Sequence, residues 1–326
     1  MKAALAMAPE TLPFVFGGDE LRRLTQLLDL DAGRVLTSID DLDDEERAGL
    51  ELLITGWGAP QIGPNELAML PALRAVVHWG GGIGLLDQSA TARGIAVSSA
   101  RAANAIPVAE FTVAMITLAA KDAFWVSRQY CTEQRRIDRE VELAHTGLYG
   151  TTIGLVGAST IGTLVIEQLR DRDVDILVYD PYLTAADAAR LEVEPVGELE
   201  DLARRSTVLS LHAPAMPQTD GMISRTVLAA MPDGATLVNT ARGSLVDQDA
   251  LIEELTGGRL RAILDVTEPE VLPTGHPLYA LPNVFLTPHL AGSTGTELRR
   301  LGRAALAEVE RFVSGAPFEH PVPLTQ

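Results

Sequence analysis

Short apolar runs alternate with helical patterns along almost the whole chain. In the first hundred residues, strand-like runs lie at Lys2–Ala6, Arg34–Ser38, Leu52–Thr55, Leu73–Val77 and Ile95–Ser98. Helical spacing fills the gaps near Asp19–Leu30, Asp43–Gly49, Pro64–Leu70 and Leu85–Ala92. Alternation of this kind predicts a parallel sheet with helices on both faces. A helix from about Val108 to Lys121 follows, then a polar stretch to His145. A second alternating set has strands at Thr152–Val156, Asp175–Tyr179, Val208–Leu211, Ala235–Asn239, Leu260–Leu264 and Val284–Thr287. One more helix is predicted over roughly Thr296–Ser314.

The pattern therefore predicts two doubly wound α/β domains. The later one spans 101–290; the first takes in 1–100 and, through the last helix, 291–326. No internal repeat or low-complexity linker interrupts them. The length of 326 residues suits two such domains, and a composition 47% hydrophobic and 21% charged excludes disorder.

Charge narrows the partners. The formal charge of −18 argues against a nucleic-acid backbone or an anionic membrane. Cys131, the one cysteine, excludes an internal disulfide and a cysteine-rich metal site. It also points to a reducing compartment, so a cytoplasmic protein is expected. The apolar start, MKAALAMAPE, is broken by Pro9 and Glu10 and reads as a first strand rather than a signal peptide. The apolar run Phe111–Ala120 is too short to span a bilayer and reads as a buried helix.

One loop carries candidate chemistry. The stretch GLVGASTIG, from Gly154 to Gly162, joins a predicted strand to a predicted helix. A phosphate-binding loop there wants G-x-G-x-x-G, with glycine for the tight turn, for the approach of a pyrophosphate and for helix–strand packing. Gly157 and Gly162 fill the first and third places; Ser159 stands in the second. Its Cβ takes space, and its hydroxyl could donate to a phosphate. The next strand ends in Asp180, 23 residues after Gly157, where an acid accepts ribose hydroxyls and repels a 2′-phosphate. That favours NAD over NADP.

Doubly wound sheets bind ligands at the carboxyl ends of their strands. Just past those ends lie His212, Arg242, Asp265 and His289, with Glu268 three residues beyond Asp265. Arginine grips a carboxylate with two hydrogen bonds and keeps its charge, and imidazole exchanges protons near neutral pH. Taken singly, His289 reads as a structural strand-end residue; its company makes it the acid/base, with Glu268 as its orienting carboxylate. His212 reads as a loop residue bordering a cofactor. His78, His145, His276 and His320 lack such company and read as structural or solvated. No pair has metal-ligand spacing. In the first domain, Gly80, Gly81 and Gly82 follow a strand and can form a backbone nest for an anion. Trp57 follows another strand and reads equally as a pocket wall or as core.

These residues resemble the D-isomer-specific 2-hydroxyacid dehydrogenases. The likeness is strongest in LVNTARGSLVDQDAL, AILDVTEPE and NVFLTPHLAGST. It continues in VYDPY, SLHAPAMPQTDGMI, GGGIG and ANAIPVAEFTVAM, so it covers nearly the whole chain. The resemblance implies a Rossmann cofactor domain inserted into a flavodoxin-like substrate domain, and a homodimer joined through the cofactor domain. It implies Arg242, Glu268 and His289 as catalytic residues, with Gly81 and Gly82 binding the substrate carboxylate beside Arg242 and His289. The implied NAD site takes in Gly157, Ser159, Thr160, Ile161, Gly162 and Asp180. It continues through His212, Pro214, Thr219, Thr240, Ala241, Asp265 and Gly292. The chain departs from the family at Ser159 and at Gly84, where GGGIGLLD replaces a pattern close to GxGxDxID. The segment LRAILDV is also a residue shorter than the common form.

The expected activity is therefore NAD-dependent interconversion of a 2-oxo acid and a D-2-hydroxy acid, with His289 exchanging the proton and closure of the two domains excluding water. One alternative is a non-catalytic NAD-sensing protein, as in the C-terminal-binding co-repressors that share the family pattern. Another is oxidation of D-3-phosphoglycerate. That would need a cationic phosphate site, for which Arg74 and His78 are the nearby candidates, and a regulatory domain after Gln326 is not expected.

Overall fold

The computed structural model of the chain describes residues 1–322. Residues 323–326, the end of the stretch assigned above to the first domain, lie outside them. Two compact units result: Met1–Ala105 with the described part of Ser293–Gln326, and Ile106–Gly292. The divisions fall after 105 and after 292, where the sequence pattern placed them after 100 and after 290.

The first unit holds five parallel strands: β1 (Ala3–Ala6), β2 (Val35–Leu36), β3 (Leu52–Thr55), β4 (Ala75–His78) and β5 (Ala96–Ser99). Their order is β2-β1-β3-β4-β5, the flavodoxin-like arrangement. Each central strand is apolar at consecutive positions because both faces are covered. One face packs Leu5, Leu52, Val77 and Trp79 against Leu301, Ala305 and Val309 of the helix Leu298–Val313. The other packs Ala6, Leu53 and Val76 against Leu67, Leu70 and Leu86.

The second unit holds seven parallel strands: β6 (Thr151–Val156), β7 (Val174–Tyr179), β8 (Glu194–Pro195), β9 (Val208–Leu211), β10 (Thr236–Asn239), β11 (Arg261–Leu264) and β12 (Val284–Leu286). Their order is β12-β11-β10-β9-β6-β7-β8. The strand order reverses between β6 and β9, the crevice where doubly wound sheets bind ligands. Two buried clusters cover its faces, one around Leu209, Leu237 and Leu251, the other around Ile153, Val165 and Ile263.

The long helix runs Arg101–Ala120, seven residues earlier than the pattern predicts. Proline disfavours helical geometry in the residue before it, so Pro107 reads as a start; here it sits inside the helix. At 20 residues the helix is long and apolar enough to cross a membrane, contrary to the shorter run expected. Half of its apolar window is nevertheless buried, with Ala109, Val113 and Ile116 packed on β6 and the helix Thr160–Leu169. A helix at Ala123–Glu133 occupies the stretch expected to be merely polar.

Candidate active site

The crossover after β6 is shaped by close approach. Gly157 has φ +101, and a Cβ there would come within 2.9 Å of the Ala213 nitrogen. A Cβ on Gly162 would come within 2.2 Å of the Gly157 carbonyl oxygen. Both places therefore need glycine, one for its turn and one for helix–strand contact. Ser159 is the N-cap of the helix Thr160–Leu169. Its Oγ donates to the His212 carbonyl at 2.8 Å and accepts the Gly162 N–H at 3.3 Å. The hydroxyl is thus committed to capping, not free to donate to a phosphate as the sequence alone allowed. The backbone N–H groups of Ser159, Thr160 and Ile161 have no partner among the described residues. Three free amides at the positive end of a helix can receive a phosphate without a second glycine.

Asp180 follows β7. Its Oδ2 accepts the Ala158 N–H at 2.7 Å and its Oδ1 accepts the Tyr182 N–H at 2.8 Å. Those two bonds fix the carboxylate at the wall of a cavity of about 210 Å³, lined also by Thr163, Leu183, Asp187 and Arg190. Arg190 is bound to Asp187 at 3.2 Å.

The expected residues after β9, β10, β11 and β12 stand at the carboxyl ends of four neighbouring strands. His212 is buried against Gly157 and Gly162. Its Nε2 lies 3.0 Å from Ser210 Oγ, and its Nδ1 has no partner among the described residues. Burial pushes the imidazole down to about 4, so the ring is neutral. The Thr219 hydroxyl donates to the Pro214 carbonyl and accepts the Met216 N–H, closing the turn after His212. Past β10, the buried Thr240 hydroxyl lies 2.7 Å from that of Thr112. Asn239 holds the segment by accepting the Ala241 N–H and donating to the Arg242 carbonyl. The exposed Arg242 guanidinium donates to the Ala241 carbonyl and has no carboxylate partner among the described residues.

Asp265, 2% exposed, organises the segment that carries His289. Its Oδ1 accepts from the Thr287 hydroxyl at 2.6 Å and the Leu290 N–H at 2.8 Å, and its Oδ2 accepts the Ala291 N–H at 2.9 Å. Its own carbonyl accepts the His289 N–H at 2.9 Å. This clasp holds His289 at φ +53, a conformation that side chains resist. Gly292 follows Ala291 directly and ends the unit.

One assignment is corrected. The carboxylate beside His289 Nδ1 is that of Glu270, at 2.7 Å, not that of Glu268. The backbone of Glu268 is held on both sides by the Gln248 amide, which accepts its N–H at 3.1 Å and donates to its carbonyl at 2.7 Å. Both acids flank Pro269, and nothing in their spacing tells which one meets the histidine. With Nδ1 anchored, Nε2 is the nitrogen left for exchange.

In the first unit, Gly80, Gly81 and Gly82 have backbone N–H groups without partners among the described residues. A Cβ on Gly81 would come within 3.1 Å of Asn104 Nδ2, and Asn104 Oδ1 accepts the Ser293 N–H at 3.0 Å. Asn104 was not singled out by sequence, for it carries no charge and lies inside an apolar helix. Trp57 is 41% exposed and meets Trp79 edge-on at 5.0 Å. Among the remaining histidines, His276 caps a turn at Leu278 and His320 is bound through its backbone to Glu308.

A sheet reversing at β6, a capped helix with three free amides above it and an acid one strand away define a dinucleotide-binding protein. Comparison with known proteins makes this specific. The family model described as D-isomer specific 2-hydroxyacid dehydrogenase, NAD binding domain, matches residues 113–291. The chain belongs to the D-isomer specific 2-hydroxyacid dehydrogenase family, and this segment is its NAD-binding domain.

Among curated relatives, D-3-phosphoglycerate dehydrogenase of Mycobacterium tuberculosis is 34% identical over 259 residues, covering 79% of this chain and 48% of that protein. The enzyme of the same name from Methanocaldococcus jannaschii is 29% identical over 306 residues, covering 93% and 57%. The chain thus spans about half the length of the curated relatives it matches. Among solved structures, apo D-mandelate dehydrogenase of Rhodotorula graminis superposes with a TM-score of 0.83 at 26% identity, covering 98% of this chain and 97% of that one. The cofactor fits what the residues offer: free amides at Ser159, Thr160 and Ile161 for its diphosphate, and a fixed Asp180 carboxylate for a ribose.

Proposed function

We propose that the chain is an NAD-dependent D-2-hydroxyacid dehydrogenase, interconverting a 2-oxo acid and a D-2-hydroxy acid. The observation that carries this reading is that the carboxyl ends of β10 and β12, on either side of β11, present an unneutralised Arg242 and a His289 whose Nδ1 is bound to Glu270. Arg242 is the cation for the substrate carboxylate or carbonyl. His289 Nε2 gives a proton to the substrate oxygen in reduction and takes it in oxidation, while Glu270, in place of Glu268, fixes the ring's tautomer. Bound NAD supplies the two-electron hydride acceptor, so oxidation yields the 2-oxo acid, NADH and a proton. The glycine amides of the first unit, at Gly81 and Gly82, bind the substrate carboxylate, which makes that unit the substrate domain. Asp180 favours NAD over NADP, because Arg190, the nearby cation, is already held by Asp187.

The D-3-phosphoglycerate reading has less support. Arg74 is paired with Glu51 at 3.3 Å and lies over the Phe312 ring, and His78 is buried and neutral, so neither candidate cation is free for a phosphate. A homodimer joined through the cofactor unit is supported by its exposed Tyr130, Val141 and Tyr149. The acidic balance and single cysteine support a cytoplasmic protein without nucleic-acid or membrane partners.

The test is NADH oxidation at 340 nm with glyoxylate, hydroxypyruvate, pyruvate and branched-chain 2-oxo acids, beside D-3-phosphoglycerate with NAD. Turnover of a 2-oxo acid that disappears in His289→Ala is expected. Tight NADH binding with no turnover of any substrate would replace the reading by the NAD-sensing one.

A further inference from the structure

The glycine turn after β4 has no side chains to hold it, and three glycines in sequence lose the most freedom on becoming ordered. Beside it lies a histidine that the proposed reaction does not use. Thr55 and His78 end neighbouring strands in register, and both are buried. Thr55 Oγ1 lies 3.0 Å from His78 Nδ1. A hydroxyl donating to Nδ1 leaves the proton of a neutral ring on Nε2. The ring is neutral because burial pushes it down to about 4, against a smaller opposing effect of the Gly82 backbone acceptor. Nε2 is itself buried and has no hydrogen-bond partner among the described residues. It faces the turn: a Cβ on Gly80 would come within 2.5 Å of His78 Nε2 and 2.8 Å of Trp57 Nε1. Position 80 must therefore be glycine, and the backbone there runs directly over the imidazole edge.

We propose that His78 is the positioning residue of this turn: braced by Thr55, its Nε2–H engages the Gly80–Gly82 backbone and so sets the direction of the Gly81 and Gly82 amides. Its effect on catalysis rests on the reading that those amides receive the substrate carboxylate. His78 touches neither substrate nor cofactor in this role. It acts by holding the loop in one conformation before the acid arrives, which lowers the ordering cost of binding.

The test compares His78→Leu, His78→Gln and His78→Asn in the full chain. The Gln amide nitrogen reaches the place of Nε2; the Asn amide reaches only that of Nδ1. His78→Leu is expected to raise KM for the accepted 2-oxo acid ~10-fold while changing kcat less and leaving NADH affinity intact, the pattern of a lost binding contribution. His78→Gln restores KM to within about twofold of the starting protein, and His78→Asn does not. An unchanged KM in His78→Leu, or rescue by Asn as good as by Gln, overturns the proposal. Should His78→Leu fail to fold, the Gln and Asn pair decides it. If the chain turns over no 2-oxo acid, the proposed function falls separately. Imidazole 15N shifts of the unaltered protein then decide the His78 contact: a protonated Nε2 with bare Nδ1 supports it, and the opposite tautomer overturns it.

Discussion

Replacing Asp265 by Asn keeps the shape of the side chain and removes half of what it does. The carboxylate accepts three hydrogen bonds, from the Thr287 hydroxyl and the Leu290 and Ala291 amides. An Asn amide has one oxygen, so at least one of those backbone N–H groups faces an NH2 and is left buried without an acceptor. An unsatisfied buried donor costs roughly 1–3 kcal/mol, and the surviving bonds each lose about 1 kcal/mol as their charge assistance goes. With one donor stranded and two bonds weakened, the sum is about 3–5 kcal/mol. For a unit of the size of Ile106–Gly292, each kcal/mol moves the melting temperature by about 2–4 °C, so a fall of about 6–20 °C is expected. The second consequence is functional. His289 is held at φ +53 by this clasp, a conformation that costs on the order of 1–2 kcal/mol and relaxes when the clasp slackens. The imidazole then leaves its place, and kcat should drop by more than about tenfold even at temperatures where the variant is fully folded. Calorimetry of the variant, with steady-state kinetics at 20 °C on the substrate found in the panel, checks both. A melting point within about 2 °C of the starting protein, together with unchanged kcat, would show that Asp265 does not hold the His289 segment.

Two further outcomes follow from the site. Glu270→Gln should lower kcat several-fold more than Glu268→Gln, because only Glu270 touches His289; equal losses, or a larger loss at 268, would restore the assignment made from sequence. Acid should destabilise the fold through His78 and His212, both lowered from 6.5 to about 4 in the folded chain. The unfolded chain takes up protons below 6.5 that the folded chain refuses, so stability present above that value is lost as pH falls toward 4. At pH 5 each ring costs roughly 2 kcal/mol, which urea midpoints at pH 7 and pH 5 will register; an unchanged midpoint would mean that the rings are not buried neutral.

Much of the architecture is legible from letters because the strands of both sheets are apolar at consecutive positions and bounded by helical spacing. β8 is not, since Glu194 and Pro195 are exposed and become a strand only by pairing with β7. The helix Ala123–Glu133 was hidden by its polar surface, and the first two turns of Arg101–Ala120 by Pro107. In the site, His212, Arg242, Asp265 and His289 could be found because strand ends are where this kind of sheet binds ligands. Glu270 could not, since two carboxylates flank Pro269 and only the folded turn shows which one meets His289. The service Ser159 performs was equally out of reach: its hydroxyl is satisfied by a carbonyl 53 residues away.

The bare guanidinium of Arg242 also bears on encounter rates. The chain carries a formal charge of −18, yet a 2-oxo acid and a dinucleotide are both anions. At low ionic strength a molecule of this charge repels the anions proposed as its ligands, and in that proposal Arg242 is a local sink within a repulsive far field. The two effects have different ranges. At about 0.1 M salt the screening length is roughly 10 Å, which mutes the distant acids while leaving a contact at Arg242 largely intact. Capture of substrate should thus speed up with moderate salt, the reverse of the dependence expected of an enzyme whose overall charge steers its ligand in.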